Sequence, residues 1–299
     1  MGSQCSNTGN HQLDLGKSAH GMDWGLHQRY ADNWRIGLRS HGGCLERIDD
    51  ISDVNGEMIV KFGNNFDHGW IHPDNIPHRN WYFWDNPELP QLLNPNPANP
   101  AGNKDFVRFP RGSLFTETFN SESNSARLDR VLRDLSSGQT SLEELIRPVP
   151  VRVRNTRRVL LCPSSPNCFR YYYGDTITSW LSRWSHWASQ NGYEPVVRRK
   201  PARPERVKNP ETRLYEHLLL EDYAFTISQH SVAAVESILA GVPAVTTGPH
   251  PIGPLYTPHE WAVTGDFVTP ESDLVWNWIL RLASNTYHKS ELFTGAWRT

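Results

Sequence analysis

Cysteine, methionine and net charge are all scarce in this chain: four Cys, three Met and a formal charge of −2 over 299 residues. Cys5, Cys44, Cys162 and Cys168 form no CxxC pair and no metal-finger spacing, which excludes a disulfide scaffold or a zinc ribbon. Cys162 lies in an apolar run and reads as a reduced, buried thiol, as expected in a reducing compartment. The balanced charge excludes a polycation, so any contact with nucleic acid needs a local basic patch. No apolar run approaches the roughly 20 residues that span a bilayer. The opening segment Met1–Gly16 is polar and carries no signal-peptide core, so a cytoplasmic location is expected. No internal repeat is evident, and no acidic DxD pair is visible that would demand a metal.

What is present is aromatic. Twelve Trp, ten Tyr and eleven Phe stand within a hydrophobic fraction of 37%, enough apolar surface to drive folding. The length suits two domains. Residues 1–20 read as a flexible arm, 21–150 as an amino-terminal α/β domain and 151–299 as a carboxyl-terminal one. In the first half, Leu26–Leu38 reads as helical, and Gly56–Phe62 and Asn80–Trp84 as strands. Asn86–Lys104 is dense in Pro and Asn, which forbid a helix interior or a central strand, and is expected to be a long loop. Phe106–Phe119 is mixed and partly extended. Ala126–Leu135 and Leu142–Leu145 read as helices. Pro148 and Pro150 then mark the boundary, followed by Arg152, Arg154, Arg157 and Arg158.

The second half alternates regularly. Strands are expected at Arg158–Pro163, Pro195–Arg198, Tyr223–Ser228 and Pro243–Thr247. Helices are expected at Asp175–Gly192, with Asp175 as N-cap, and at Glu211–Leu220, Ser231–Ala240 and Asp273–Ala283. Short buried strands alternating with helices predict βαβ units and a doubly wound parallel sheet. Trp180, Trp184 and Trp187 recur at helical spacing and read as a core face, with a base-stacking platform as the alternative.

The loops at the carboxyl ends of these strands should line one crevice. Ser231 opens a helix whose first turn offers amide protons and the positive end of the dipole, a setting suited to phosphate or carboxylate. Glu236, further along that helix, is within reach of the ribose of a nucleotide whose phosphates sit at Ser231. Ser164, Gln229, His230, Gly248 and His250 fall on the flanking loops. Arg198 and Lys200 end a third strand and can neutralise a diphosphate. The ordinary roles of the same residues are an N-cap, a solvated acid and a salt-bridged turn. Arg203, Arg206 and Lys208 continue the basic cluster and face either a polyanion or solvent.

The stretches RRVLLCPSS (Arg157–Ser165), EPVVRRKPARPERVK (Glu194–Lys208), ISQHSVAAVESILAGVPAVTTGP (Ile227–Pro249) and GAWR (Gly295–Arg298) resemble the nucleotide-binding half of GT-B glycosyltransferases. In style they are similar to bacteriophage glycosyltransferase-like proteins. The resemblance implies two Rossmann-like domains and a nucleoside-diphosphate sugar as co-substrate, with no further cofactor. It implies that Ser231, Glu236, Arg198 and Lys200 hold the donor. It also implies an acceptor such as a hydroxymethylated pyrimidine in DNA, which would place a viral protein in the host cytoplasm. The acceptor-side base is open among Asp85 in WYFWDNPE, Asp67 and His68 in GNNFDHGW, and His41 in SHGG, each equally at home in a turn. Two other readings stay open: a nucleotide-sugar epimerase or hydrolase, and a binding protein that keeps the fold without catalysis. The chain lacks the second acid that better-known members carry after Glu236, which keeps the last reading alive.

Overall fold

The computed structural model describes residues 10–14, 44–47, 58–62, 81–84, 89, 106–108, 126–135, 141–166, 168–169, 174–200, 214–229, 231–248, 250 and 252–294. Each half of the chain carries a four-stranded parallel sheet. The first contains β1 (Asn10–Asp14), β2 (Cys44–Arg47), β3 (Met58–Phe62) and β4 (Trp81–Trp84), in the order β2-β1-β3-β4. The expectation of a loose arm is therefore corrected for Asn10–Asp14, which pairs on both sides as an inner strand. NHQLD holds one aliphatic residue, so its own β-propensity is faint, and pairing with both neighbours defines it. The expected strands near residues 58–62 and 81–84 are present. The expected helix Leu26–Leu38 and the Pro/Asn loop fall outside the described residues, Leu89 excepted.

The second sheet contains β6 (Arg158–Cys162), β7 (Glu194–Val197), β8 (Phe225–Ser228) and β9 (Ala244–Thr246), in the order β7-β6-β8-β9. Before it come β5 (Phe106–Arg108), α1 (Ala126–Leu135) and α2 (Leu142–Leu145). The helices of this half are α3 (Ile177–Gln190), α4 (Leu214–Leu220), α5 (Val232–Leu239), α6 (His259–Thr264) and α7 (Ser272–Ser284). The described chain ends with β10 (Thr286–His288) and α8 (Lys289–Thr294).

Strand alternation sorts the core. Val159 and Leu161 of β6 face one way, with Phe225 and Ile227 of β8, and meet Trp180, Trp184 and Ala188 of α3 and Ala262 of α6. Leu160 and Cys162 face the other way and meet Leu214 and Leu218 of α4 and Ala233 of α5. Helices on both faces make the sheet doubly wound. The tryptophan stripe is core, as its spacing predicts: Trp180 is 1% and Trp184 9% exposed. The N-cap of α3 is Thr176, not Asp175. The Thr176 hydroxyl accepts from Ser179 N, while the Asp175 carboxylate accepts from Thr176 N at 2.7 Å and pairs with Arg183 at 2.8 Å.

α5 is sandwiched. Its far side packs on a third layer built from β5, α1, α2 and α7. Val275, Trp278, Ile279, Leu282 and Ala283 form the buried stripe of α7, at the spacing of one helix face. β5 pairs antiparallel with β10, and Leu128 and Leu132 of α1 join the same core. The chain around the expected boundary at residue 150 clasps the end of α5: Val149 N donates to Leu239 O and Arg152 N to Gly241 O. Gly241 has φ +73°, and a Cβ there would lie 2.8 Å from Pro150 O, so both conformation and space call for glycine. The packing thus runs across residue 150, and residues of β5, α1 and α2 share a core with α5 and Ala244 of the carboxyl-terminal half.

Two of the four arginines after Pro150 are structural staples. Arg154 donates to the carbonyls of Glu221 and Ala240. Arg158 pairs with Glu221 at 3.0 Å and lies over the Tyr223 ring. Each ties β6 or its lead-in to the turn before β8; Arg157 is exposed but donates to Gly192 O at 3.3 Å, and Arg152 is exposed.

Candidate functional site

The chain leaves β6 for β7 on one side and later returns to β8 on the other. The carboxyl ends of β6 and β8 therefore flank a topological switch point, the place where open α/β sheets bind ligands. Register gives the row at this edge. Cys162 stands opposite Ser228, and Ser228 opposite Thr246. On the other side Arg198 N donates to Leu161 O and extends the ladder.

Ser228 is fully buried, and its hydroxyl has no hydrogen-bond partner among the described residues. It shares a sheet face with Thr226, whose hydroxyl donates to Ser237 of α5 at 2.9 Å. Ser228 lies one step further toward the edge and so faces the amino end of α5. An unsatisfied buried hydroxyl costs about 1–3 kcal/mol. Ser164, just past β6, is also buried. Burial pushes the Cys168 thiol up to about 11, and Ser164 opposes that shift.

α5 starts as its sequence predicts. Ser231 is extended, at φ −119° and ψ 140°, and its hydroxyl oxygen accepts from Ala233 N at 3.2 Å. Ala234 N donates to the Ser231 carbonyl at 3.1 Å. Two amides of the first turn are thus engaged within the cap, and the Ser231 hydroxyl keeps its own proton to donate. The small Ala233 and Ala234 let the helix sit close to both layers.

His250 is a brace. It is 8% exposed, its Nδ1 accepts from Ile252 N at 3.2 Å, and its Nε2 donates to Ser231 O at 2.6 Å. Those two bonds require the neutral ring with its proton on Nε2. Burial pushes its pKa down to about 4, the Ser231 carbonyl opposes the shift, and Arg108 adds to it. Both ring nitrogens are spent on the protein, so His250 fixes the loop after β9 against the cap of α5 instead of offering a nitrogen to a ligand. A second brace comes from the opposite face of the sheet. Trp180 Nε1 donates to the Thr247 hydroxyl at 3.1 Å, and Thr247 N donates to Ser228 O at 3.0 Å.

The charged candidates gather round the end of β6. Burial pushes the Cys162 thiol up to about 12, Arg198 counteracts this and Glu236 reinforces it. Arg198, from the end of β7, and Glu236, from the second turn of α5, therefore both act on the same buried sulfur. Glu236 and Gly248 are half-buried, Gln229 is buried and Lys200 is exposed. So Ser164, Arg198, Gln229, Ser231, Glu236, Gly248 and His250 come together at one sheet edge, with Lys200 just beyond. His230, Asp85, Asp67, His68, His41, Arg203, Arg206, Lys208 and Gly295–Arg298 lie outside the described residues. Among the described residues no group of three or more His, Cys, Asp or Glu could hold a metal ion.

Three features of this region escape a reading of the sequence. Ser228 falls at the end of the expected strand Tyr223–Ser228, but only the alternation from Thr226 gives the direction of its side chain. Thr247 is tied to Trp180 across 67 residues. Arg108 comes from the short strand β5, outside the parallel sheet, and carries no local signal.

No protein-family model and no curated protein matches the chain. Among solved structures it is similar to Thermosulfurimonas dismutans KpsC, beta Kdo 2,7 transferase, over 97% of this chain and 99% of that chain, at 12% identity and a TM-score of 0.42, a likeness too slight to assign an activity.

Proposed function

We propose that the chain is a glycosyltransferase that holds a nucleoside-diphosphate sugar at the carboxyl edge of β6–β9. The observation that carries this reading is the fully buried, unsatisfied Ser228 hydroxyl at a topological switch point, facing the amino end of α5. The motif resemblance supports it independently. Ser231 and Ser228 donate hydroxyl protons to phosphate oxygens. Arg198 and Lys200 supply positive charge to the diphosphate as it departs, the kind of fixed electrostatic stabilisation that lowers a transition state. Glu236 accepts from ribose hydroxyls. The segment before residue 106 carries the acceptor and the base, drawn from Asp85, Asp67, His68 or His41. In the GT-B arrangement proposed here, the two parallel sheets belong to two Rossmann-like domains around the reacting groups. The proposed reaction is attack of an acceptor hydroxyl on the anomeric carbon, with the proton passing to the base and the diphosphate leaving. A hydroxymethylated pyrimidine in DNA is the proposed acceptor.

Thermal-shift measurements with uridine, guanosine, adenosine and cytidine diphosphates test the donor half of this proposal. One of them should raise Tm by mass action, and Ser231→Pro or Glu236→Ala should abolish the rise while the fold persists. No shift with any of the four sinks the reading. Sugar transfer to hydroxymethylated but not plain DNA tests the acceptor. Release of free nucleotide without any acceptor would point instead to a hydrolase.

A further inference from the structure

The carboxyl edge of the sheet β6–β9 divides by charge. Arg198 and Lys200 follow β7. Glu236 stands three residues after Ala233 and four before Ala240 on α5, so the three share one helix face. Both alanines pack with Leu160 and Cys162 of β6, which puts Glu236 on the β6 side of the helix. The charged groups thus belong to the β6–β7 half of the edge. The residues that end β8 and β9, namely Ser228, Gln229, Thr246, Thr247 and Gly248, are all uncharged.

Among these, Gln229 has an amide with nothing to do. It follows Ser228 directly and precedes the cap residue Ser231 by two positions, so the chain itself fixes it between strand tip and helix start. Its neighbours are spent on the protein. The Thr247 hydroxyl accepts from Trp180 Nε1, and both ring nitrogens of His250 are engaged. Gln229 is only 5% exposed, yet its side-chain amide makes no hydrogen bond among the described residues. Unlike the Ser228 hydroxyl, that amide is not sealed from solvent. An amide brings one carbonyl acceptor and two N–H donors. Sugar hydroxyls also donate and accept, so one amide serves two neighbouring hydroxyls at once.

We propose that Gln229 reads the sugar of the donor, and that this sugar is uncharged. The assignment deepens the donor-site reading and rests on it. With the phosphates at Ser231 and the ribose at Glu236 on the β6 side, the glycosyl end of the diphosphate falls on the other side, at the tips of β8 and β9. The Gln229 carbonyl accepts from one sugar hydroxyl and its N–H donates to the next. A sugar acid would bring a carboxylate to strand tips that offer no cation. Stripping its water there costs more than one amide returns.

Calorimetric titration of the full chain tests it, using wild type, Gln229→Met and Gln229→Glu. The probes are the four nucleoside diphosphates, then the glucose, galactose, mannose, N-acetylglucosamine and glucuronic acid derivatives of the diphosphate that binds. In wild type, at least one neutral derivative should bind about tenfold tighter than the glucuronic acid derivative. Gln229→Met keeps the volume without the amide, and should lose about tenfold for that neutral derivative while the bare diphosphate stays within about twofold of wild type. Wild-type protein that binds none of the diphosphates overturns the donor reading itself. A wild type that binds a diphosphate and takes the glucuronic acid derivative as tightly as any neutral one overturns only the sugar assignment. So does a folded Gln229→Met that keeps its neutral-sugar affinity, or that loses the bare diphosphate equally. Should Gln229→Met not fold, the side-chain amide resonances of wild type that are missing in Gln229→Glu serve instead. The neutral derivative should shift them further than the bare diphosphate does, and equal shifts overturn the assignment.

Discussion

The two faces of the sheet β6–β9 are covered in opposite ways. α3 lays Trp180 and Trp184 on one face, with Phe169 and Phe225 against them. α5 lays Ala233 and Ala240 on the other and buries its far side under a third layer. Bulk on the first face supplies stability. Small residues on the second bring a helix end, its cap and a row of hydroxyls to the carboxyl edge. The faces are not independent, because Trp180 reaches around the edge to Thr247 and through it to Ser228 O. Stability built on the aromatic face therefore holds the geometry of the polar one.

Breaking the aromatic face should have the largest effect. Trp180→Ala removes a nearly fully buried side chain and should cost about 3–5 kcal/mol. Urea denaturation would show a midpoint far below wild type with an unchanged slope. Trp180→Phe keeps most of the volume but loses the indole N–H, and should cost about 1 kcal/mol beyond the small packing change. A Trp180→Ala protein as stable as wild type would mean that α3 does not anchor the sheet.

The polar face contributes through His250, and pH is the way to weigh it. Folding lowers the proton affinity of this ring, from the ordinary 6.5 to about 4. Between those values the unfolded chain binds more protons than the folded one, so stability is full above about pH 6.5 and falls as pH drops toward 4. The buried ring should account for about 3 kcal/mol of that loss. Unfolding free energies at pH 7 and pH 4.5 for wild type and His250→Gln check the sign. The variant should be less stable at pH 7 and should lose less on acidification. A wild type that does not weaken in this window, or a variant that weakens as steeply, contradicts the neutral brace.

These contrasts also show what the linear sequence can and cannot express. The alternation of β6 to β9 with α3 to α5 was legible because most of the strands are short apolar runs and α3 and α5 end at Gly192 and Gly241. The cap at Ser231 was legible because capping is local. β1 was not, since a strand of sequence NHQLD owes its place to its partners. Nor was the reach of β5, α1 and α2 into the carboxyl-terminal core, because Pro148 and Pro150 look like a boundary while the chain beside them is bonded to Leu239 and Gly241. His250 was legible as a site residue, but its work as a brace depends on Ser231 and Ile252 converging in space. Long-range pairings such as Trp180 with Thr247 leave no trace in spacing.

The smallest expected effect on stability carries the sharpest contrast between the faces. Ser228→Ala removes a hydroxyl that the protein leaves unsatisfied, so the free protein should lose nothing and gain up to about 1 kcal/mol. The same change should weaken diphosphate binding, because the ligand loses a donor that costs it no reorganisation. A stabilised apo protein with reduced nucleotide-dependent Tm gain is the expected pair of results from one melting series with and without ligand. Large cavity-forming changes on the tryptophan face should lower both quantities together. If Ser228→Ala instead destabilises the free protein and leaves ligand binding intact, the hydroxyl serves the fold, and the division of labour between the two faces is wrong.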